Sequence, residues 1–199
     1  YSNGRVDMVN VTSNMITGFD TSSASISKKT MTITQNNFTI NHDYYVVPSS
    51  NYTVFEEPFV TCFVPSNSSG FIENKPEENV TTYHNSSIAR IQIGYYKKFT
   101  YTESGIISLY NTSTTIVPNV SVISYKTQNI NNITATICSF KYKNYPTVYT
   151  GIYFDTYLRI SVGSGISVQQ VTVEILFTNY ANSNISSEVF NTLLNSITK

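Results

Sequence analysis

The sequence predicts an all-β fold, an antiparallel β-sandwich. Three observations carry that expectation. Apolar residues recur with period two along most of the chain. β-branched and aromatic residues fill those runs, as strands prefer. Turn signals separate the runs at short intervals: "PSSN", "PSNSSG", "ENKPEEN", "ESG", "PN", "NYP" and "GSG". About ten strands result, at the spacing of a sandwich.

Taken in order, the first forty residues are rich in Ser, Thr and Asn and poor in aromatics. Within them "VDMVNVTSNMI" alternates as a strand. If Asn10 bears a sugar it faces solvent, and Val9 and Val11 face the other way. Residues 1–20 are therefore expected to form a terminal strand and linker, and residues 21–199 the main domain. "TMTITQNNFTINH" alternates Met31 and Ile33 with polar residues. "VFEEPFVTCFV" is a mixed run broken by Pro58. "IARIQIGYYKKFTYT" places Ala89, Ile91, Ile93 and Tyr95 on one face, with Arg90 and Gln92 on the other. "VSVISYK", "NITATICSFKYK", "TVYTGIYFDTYLRISV" and "ISVQQVTVEILFTNY" follow the same rule. The last segment, "SSEVFNTLLNSITK", reads as a helix. Ser187 would cap it, and Val189, Phe190, Leu193, Leu194 and Ile197 would form its apolar face. A final strand is the alternative.

The chain has 199 residues, 12 basic and 12 acidic, and only 12% are charged. That is about half the usual share of roughly 25%. Its polarity comes from 22 Asn, 26 Ser, 26 Thr and 16 Tyr. Carboxylates that are paired in a fold lose that support on protonation in acid, whereas hydroxyls, amides and sugar do not. The composition suits an acidic or otherwise harsh medium. An AT-rich genome gives part of the same enrichment. There is no basic stripe, which argues against nucleic acid. No apolar run approaches the roughly 20 residues of a membrane-spanning helix.

Ten Asn-x-Ser/Thr triplets mark candidate glycosylation sites: Asn10, Asn37, Asn51, Asn67, Asn79, Asn85, Asn111, Asn119, Asn132 and Asn184. With 22 Asn and Ser/Thr at about 26%, chance alone supplies about six. The excess is modest, but the triplets spread along the chain and none has Pro in the middle. Asn79 and Asn85 flank "TTYH", which is expected to be an exposed loop or sheet edge. A start at Tyr1 instead of Met suggests a removed leader and a secreted, extracellular product. In that setting Cys62 and Cys138 read as a disulfide. It would close a loop of about 76 residues and stabilise by roughly 4 kcal/mol in the chain-entropy account.

Little catalytic chemistry is legible, and no enzyme activity is expected. His42 and His84 are isolated and read as exposed turn residues, so no metal site is expected. Glu56–Glu57 and Glu77–Glu78 are neighbours in sequence, which strands send to opposite faces. "GxSxG" is absent, and "GSG" at 163–165 opens no helix. The tyrosine runs "YYKKFTY" and "NYPTVYTGIYFDTY" read as buried rings with wet hydroxyls. An aromatic surface for carbohydrate or for a subunit contact is the alternative.

A secreted, sugar-bearing β domain with an apolar-edged terminal strand and no active site points to a filament subunit. A terminal strand would enter a groove on the next copy; the N-terminal one, with Val6, Met8, Val9, Val11 and Met15, is the candidate, while a C-terminal donor and pairing within its own domain stay open. A head-to-tail contact of that kind extends into a fibre. The alternatives are a viral or cell-surface receptor-binding domain and an S-layer component. The Tyr1 start, the "VDMVNVTSNMI" strand, the sequon-rich β domain and the low-charge Asn/Thr/Ser/Tyr composition together resemble the thread filament subunits of Sulfolobus-type thermoacidophilic archaea. The resemblance covers the whole chain as a pattern. It implies an Ig-like or pilin-like sandwich with an extended N-terminal donor strand. It implies heavy N-linked glycosylation with no other cofactor. It also implies a head-to-tail polymer of identical subunits, serving surface and cell–cell adhesion and biofilm. The chain is unlike archaeal type IV pilins, which begin with a long apolar helix.

Overall fold

The computed structural model describes residues 15–17, 28–35, 38–111, 119–162, 165–180 and 183–199. The fold is mostly antiparallel β in a sandwich-like arrangement, with a C-terminal helix. Contacts divide the chain into two compact units, Tyr1–Val47 and Pro48–Lys199. The boundary expected near residue 20, and Val6, Met8, Val9 and Val11 of the expected donor strand, lie outside the described residues. Met15 is described and half-buried.

The first unit holds a three-stranded sheet of β1 (Ile16–Thr17), β2 (Lys29–Gln35) and β3 (Phe38–Tyr44), in that order. The run read as one alternating segment is a hairpin. A polar ladder ties its exposed face. Thr30 Oγ1 donates to Asp43 Oδ1 at 2.7 Å, and Thr32 Oγ1 to Asn41 Oδ1 at 3.1 Å. Met31 and Ile33 share the other face.

The second unit is built on a seven-stranded antiparallel sheet, ordered β6-β7-β8-β12-β11-β10-β9. These are β6 (Ile72–Glu77), β7 (Val80–Asn85), β8 (Ala89–Lys97), β9 (Val120–Ile130), β10 (Ile133–Tyr142), β11 (Val148–Val162) and β12 (Gly165–Asn179). A hairpin of β4 (Tyr52–Glu57) and β5 (Val60–Pro65) forms a second, two-stranded sheet. Pro58 and Phe59 make its turn, so the proline breaks the run where the sequence said it would.

Alternation then assigns the two faces. On the front face, Ala89, Ile91 and Ile93 of β8 join Val171, Val173, Ile175 and Phe177 of β12. Ile152 and Phe154 of β11 and Ile133, Ala135 and Ile137 of β10 complete it. Phe55, Phe59, Val60, Cys62 and Val64 of the hairpin cover this face. So do Val189, Leu193 and Ile197 from the C-terminal segment. Burying each large apolar side chain contributes about 1.5–3 kcal/mol.

Helix α2 (Asn184–Ser196) begins four residues earlier than the sequence suggested. Ser183, not Ser187, is the cap, accepting a hydrogen bond from Ser186 N at 3.3 Å. Ser187 is already inside the first turn, where its N–H donates to Ser183 O. At the far end Ser196 Oγ accepts from Phe63 N at 2.8 Å. Thr198 pairs with Thr61 through two backbone bonds of 2.8 and 2.9 Å. The chain end thereby closes the outer edge of β5.

The back face carries a smaller cluster: Val120, Cys138, Phe140 and Tyr153, with Ile106 of α1 (Glu103–Tyr110) above them. The expected turn at "ESG" is the first turn of α1. Thr102 caps it by accepting from Gly105 N at 3.3 Å, and Glu103 sits in the first turn, where an acid is favoured. Gly151 is required here by space. A Cβ there would lie 2.1 Å from the hydroxyl of Tyr153, whose ring runs back along its own strand.

Three further expectations are corrected. "TTYH" is neither loop nor edge. It lies in β7, between β6 and β8, with Thr81, Thr82 and Tyr83 buried. "ENKPE" is largely strand: β6 is an edge, and each of its residues is exposed. The disulfide is absent. Cys62 and Cys138 are free buried thiols on opposite faces of the large sheet, one in the front cluster and one in the back. A bond between them would have to pass through the sheet, beyond the reach of a disulfide. Burial raises both thiol pKa values, that of Cys138 to about 11. Thiol titration with a disulfide-exchange reagent at pH 8 is therefore expected to find no reactive thiol in the native protein and two after denaturation. Zero thiols in denaturant would restore the disulfide.

Candidate functional site

The isolated histidines stay isolated. His42 is exposed on β3. His84 is exposed on β7, its ring edge-on to Tyr180 at 5.8 Å. Glu57 meets Lys75 at 3.7 Å on the surface. Among the described residues no three His, Cys, Asp or Glu side chains gather as a metal site would need. No described helix is long and apolar enough to cross a membrane.

The structure does assemble one polar constellation that the sequence reading passed over. Glu174 sits mid-strand in β12, with 5% of its surface exposed. It lies on the back face, between Thr172 and Leu176 and opposite Tyr153 of β11. Tyr110 of α1 donates its hydroxyl to Glu174 Oε1. Tyr153 donates to the Tyr110 hydroxyl at 3.2 Å. Tyr96 of β8 stands close by, and Gln92 Nε2 donates to its hydroxyl at 3.3 Å. Burial raises the Glu174 pKa above the ordinary 4.5, and the tyrosine hydroxyls offset only part of that rise. Burial and the nearby carboxylate raise Tyr110 and Tyr153 too, so their hydroxyls stay protonated as donors. The signal in the sequence was a lone acid inside "VTVEILF", on the alternate set shared with Thr172 and Leu176.

These groups open onto a cleft of about 540 Å³ between α1 and strands β8 and β12. Its apolar walls are Phe99, Leu109, Leu176 and the tyrosine rings. Gln92, Lys97 and Glu174 are its polar groups. The segment that follows β8 is pinned over the sheet by Asp155. That carboxylate meets Lys98 Nζ at 3.4 Å and accepts from Thr172 Oγ1 at 3.0 Å. Thr172 Oγ1 in turn accepts from Phe99 N at 3.3 Å. Phe99 and Tyr101 then pack on the buried Tyr153 ring at 6.1 and 6.2 Å.

The sequons divide by exposure. Asn51, Asn67, Asn132 and Asn184 are exposed, whereas Asn79, Asn85, Asn111 and Asn119 are half-buried. Asn10 and Asn37 lie outside the described residues. Asn79 Nδ2 donates to Tyr95 O at 2.7 Å and Asn85 Nδ2 to Gly70 O at 3.1 Å. A sugar replaces one of the two hydrogens on Nδ2, so attachment there competes with these bonds.

The two edges of the large sheet differ. β6 presents Glu73, Lys75, Pro76 and Glu77, the charge and proline that discourage strand addition. β9 is 11 residues long, has Lys126 as its one charged residue, and pairs only with β10 among the described residues. Asn131 and Asn132 have φ of 46° and 68°, the two left-handed positions of a two-residue hairpin loop. Ile130 and Ile133 therefore form the first hydrogen-bonded pair, and alternation turns the N–H groups of Tyr125, Thr127 and Asn129 outward. Ile123 bulges out of register and is 53% exposed.

No family model matches the chain, and no curated protein matches it.

The Glu174 arrangement sets a pH dependence. Below about pH 4.5 the acid is neutral in folded and unfolded chains alike. Above that value the unfolded chain releases the proton first, while the folded chain holds it, so stability falls as pH rises. Urea unfolding at pH 4, 6 and 8 is expected to show this loss in the native chain and a shallower one in Glu174→Gln. Equal slopes in the two proteins would remove Glu174 from the account.

Proposed function

We propose that the chain is a structural subunit of an extracellular, glycosylated filament. Subunits join head to tail when a terminal strand of one pairs with a sheet of the next, and the filament serves adhesion and biofilm formation. The β9 edge carries this reading. It is long, almost uncharged and paired on one side, while the opposite edge, β6, is guarded.

The two sides of β9 also match the proposed donor. Lys126 and Ser124 share the front face, and Tyr125 and Thr127 the back. An added strand with Asn10 on the front side would hold its sugar in water. Val9 and Val11 would then lie beside Tyr125 on the back. Burying Val9 and Val11 there contributes roughly 3–6 kcal/mol, with backbone bonds added.

Fibre assembly scored by negative-stain electron microscopy tests the joint from both sides. Val9→Asp places a charge in the donor's apolar edge. Thr127→Pro removes an outward N–H of β9 while leaving its ladder to β10. Each variant is expected to fold as the parent does and to lose most fibres. Undiminished fibre yield from both would sink the assignment of donor and acceptor.

A further inference from the structure

From the cleft beside Glu174 we infer a binding site for a neutral hexose ring, separate from the β9 edge. Its volume, about 540 Å³, lies within the roughly 300–1,000 Å³ of small-ligand sites. Its walls combine what a pyranose requires. Phe99, Leu109, Leu176 and the rings of Tyr96 and Tyr110 offer apolar surface for the C–H face of a sugar. Glu174 and Gln92 offer a carboxyl and an amide, which accept and donate to ring hydroxyls. The hydroxyls of Tyr96 and Tyr110 border the same space.

The polar groups are built in. Glu174 is 5% exposed and is held from α1 by Tyr110, which Tyr153 orients in turn. Gln92 is held by Tyr96, and its Oε1 accepts from Arg90 at 3.4 Å. A site whose donors and acceptors are locked in this way loses little entropy when a ligand arrives.

The lining favours a neutral ligand over a charged one. A cationic ligand would lie beside Lys97 and would have to draw an ionised Glu174 out of its tyrosine bonds. An anion would meet the buried acid. A neutral polyol meets neither obstacle. The cleft offers one carboxyl, whereas glycoside hydrolysis canonically uses two across the bond. Among the described residues no second Asp or Glu lines the cleft.

Saturation-transfer NMR and calorimetry on the full chain test this, with the methyl glycosides of mannose, galactose and glucose and with N-acetylglucosamine. Cadaverine serves as the cationic rival. At least one hexose is expected to bind saturably. Gln92→Ala and Glu174→Gln are each expected to weaken it at least tenfold. Leu109→Trp, a change at an exposed position that fills the mouth, is expected to abolish it with the circular dichroism unchanged. Comparing glycosylated with non-glycosylated protein separates the two sources of sugar. A site filled by the protein's own glycans binds free hexose only in the non-glycosylated chain, and a site for foreign glycans binds it in both. Failure of all four hexoses, binding that survives Leu109→Trp, or binding of cadaverine alone overturns the proposal. None of these readouts depends on fibre formation.

Discussion

The pairing of β11 with β12 is the constraint on which the rest depends. Both strands have 15 residues and stay in register from Val148 with Asn179 to Val162 with Gly165. At mid-length the ribbon is apolar on both sides. Ile152, Tyr153 and Phe154 are each fully buried, and Val171 through Ile175 are buried without a break. A strand pair of that kind is stable only when both faces are covered. The hairpin β4–β5 with α2 covers one face, and α1 with the Phe99–Tyr101 segment covers the other. The second face carries the polar exceptions, Thr172 and Glu174. Where a carboxyl must be buried, tyrosine hydroxyls from α1 and β11 satisfy it.

The two ion pairs described in the second unit contribute little to this design. Lys75–Glu57 and Lys98–Asp155 pair an exposed lysine with a partly exposed acid, and such surface pairs are typically worth no more than about 1 kcal/mol. The fold instead relies on apolar packing, stacked rings such as Tyr110–Phe140 at 4.5 Å, and hydroxyl or amide bonds. Apolar packing, stacked rings and the hydroxyl or amide bonds that involve no carboxylate do not weaken when carboxylates protonate. Glu174 goes further, since acid removes the cost of ionising it. The low charge of the sequence and the buried acid of the structure favour the same conditions.

Period-two patterning made the strand faces legible. Ala89, Ile91 and Ile93 fall on the front face, as their alternation required. The C-terminal helix was legible too, since Val189, Leu193 and Ile197 do bury. Its start was misplaced because several serines in a row offered equivalent caps. α1 was missed because a Glu-Ser-Gly start resembles a turn, and eight residues are too few for a clear helical period. "TTYH" was misjudged because threonine and tyrosine are polar by type, yet β7 buries them between two strands. The cysteines misled because spacing in sequence says nothing about which side of a sheet a residue takes. The Glu174 cleft joins β8, α1, β11 and β12, and such a meeting is a property of topology, beyond any local pattern.

The proposed filament depends on one contact, the N-terminal strand of one copy against β9 of the next. A paired substitution, Val9→Cys with Thr127→Cys, tests it most directly, because the two native thiols are buried. Mild oxidation of assembled material, run on a non-reducing gel, is expected to give a ladder of covalent multimers that reducing agent collapses to monomer. Monomer alone after oxidation, with the new thiols either free or joined within one chain, would contradict the account.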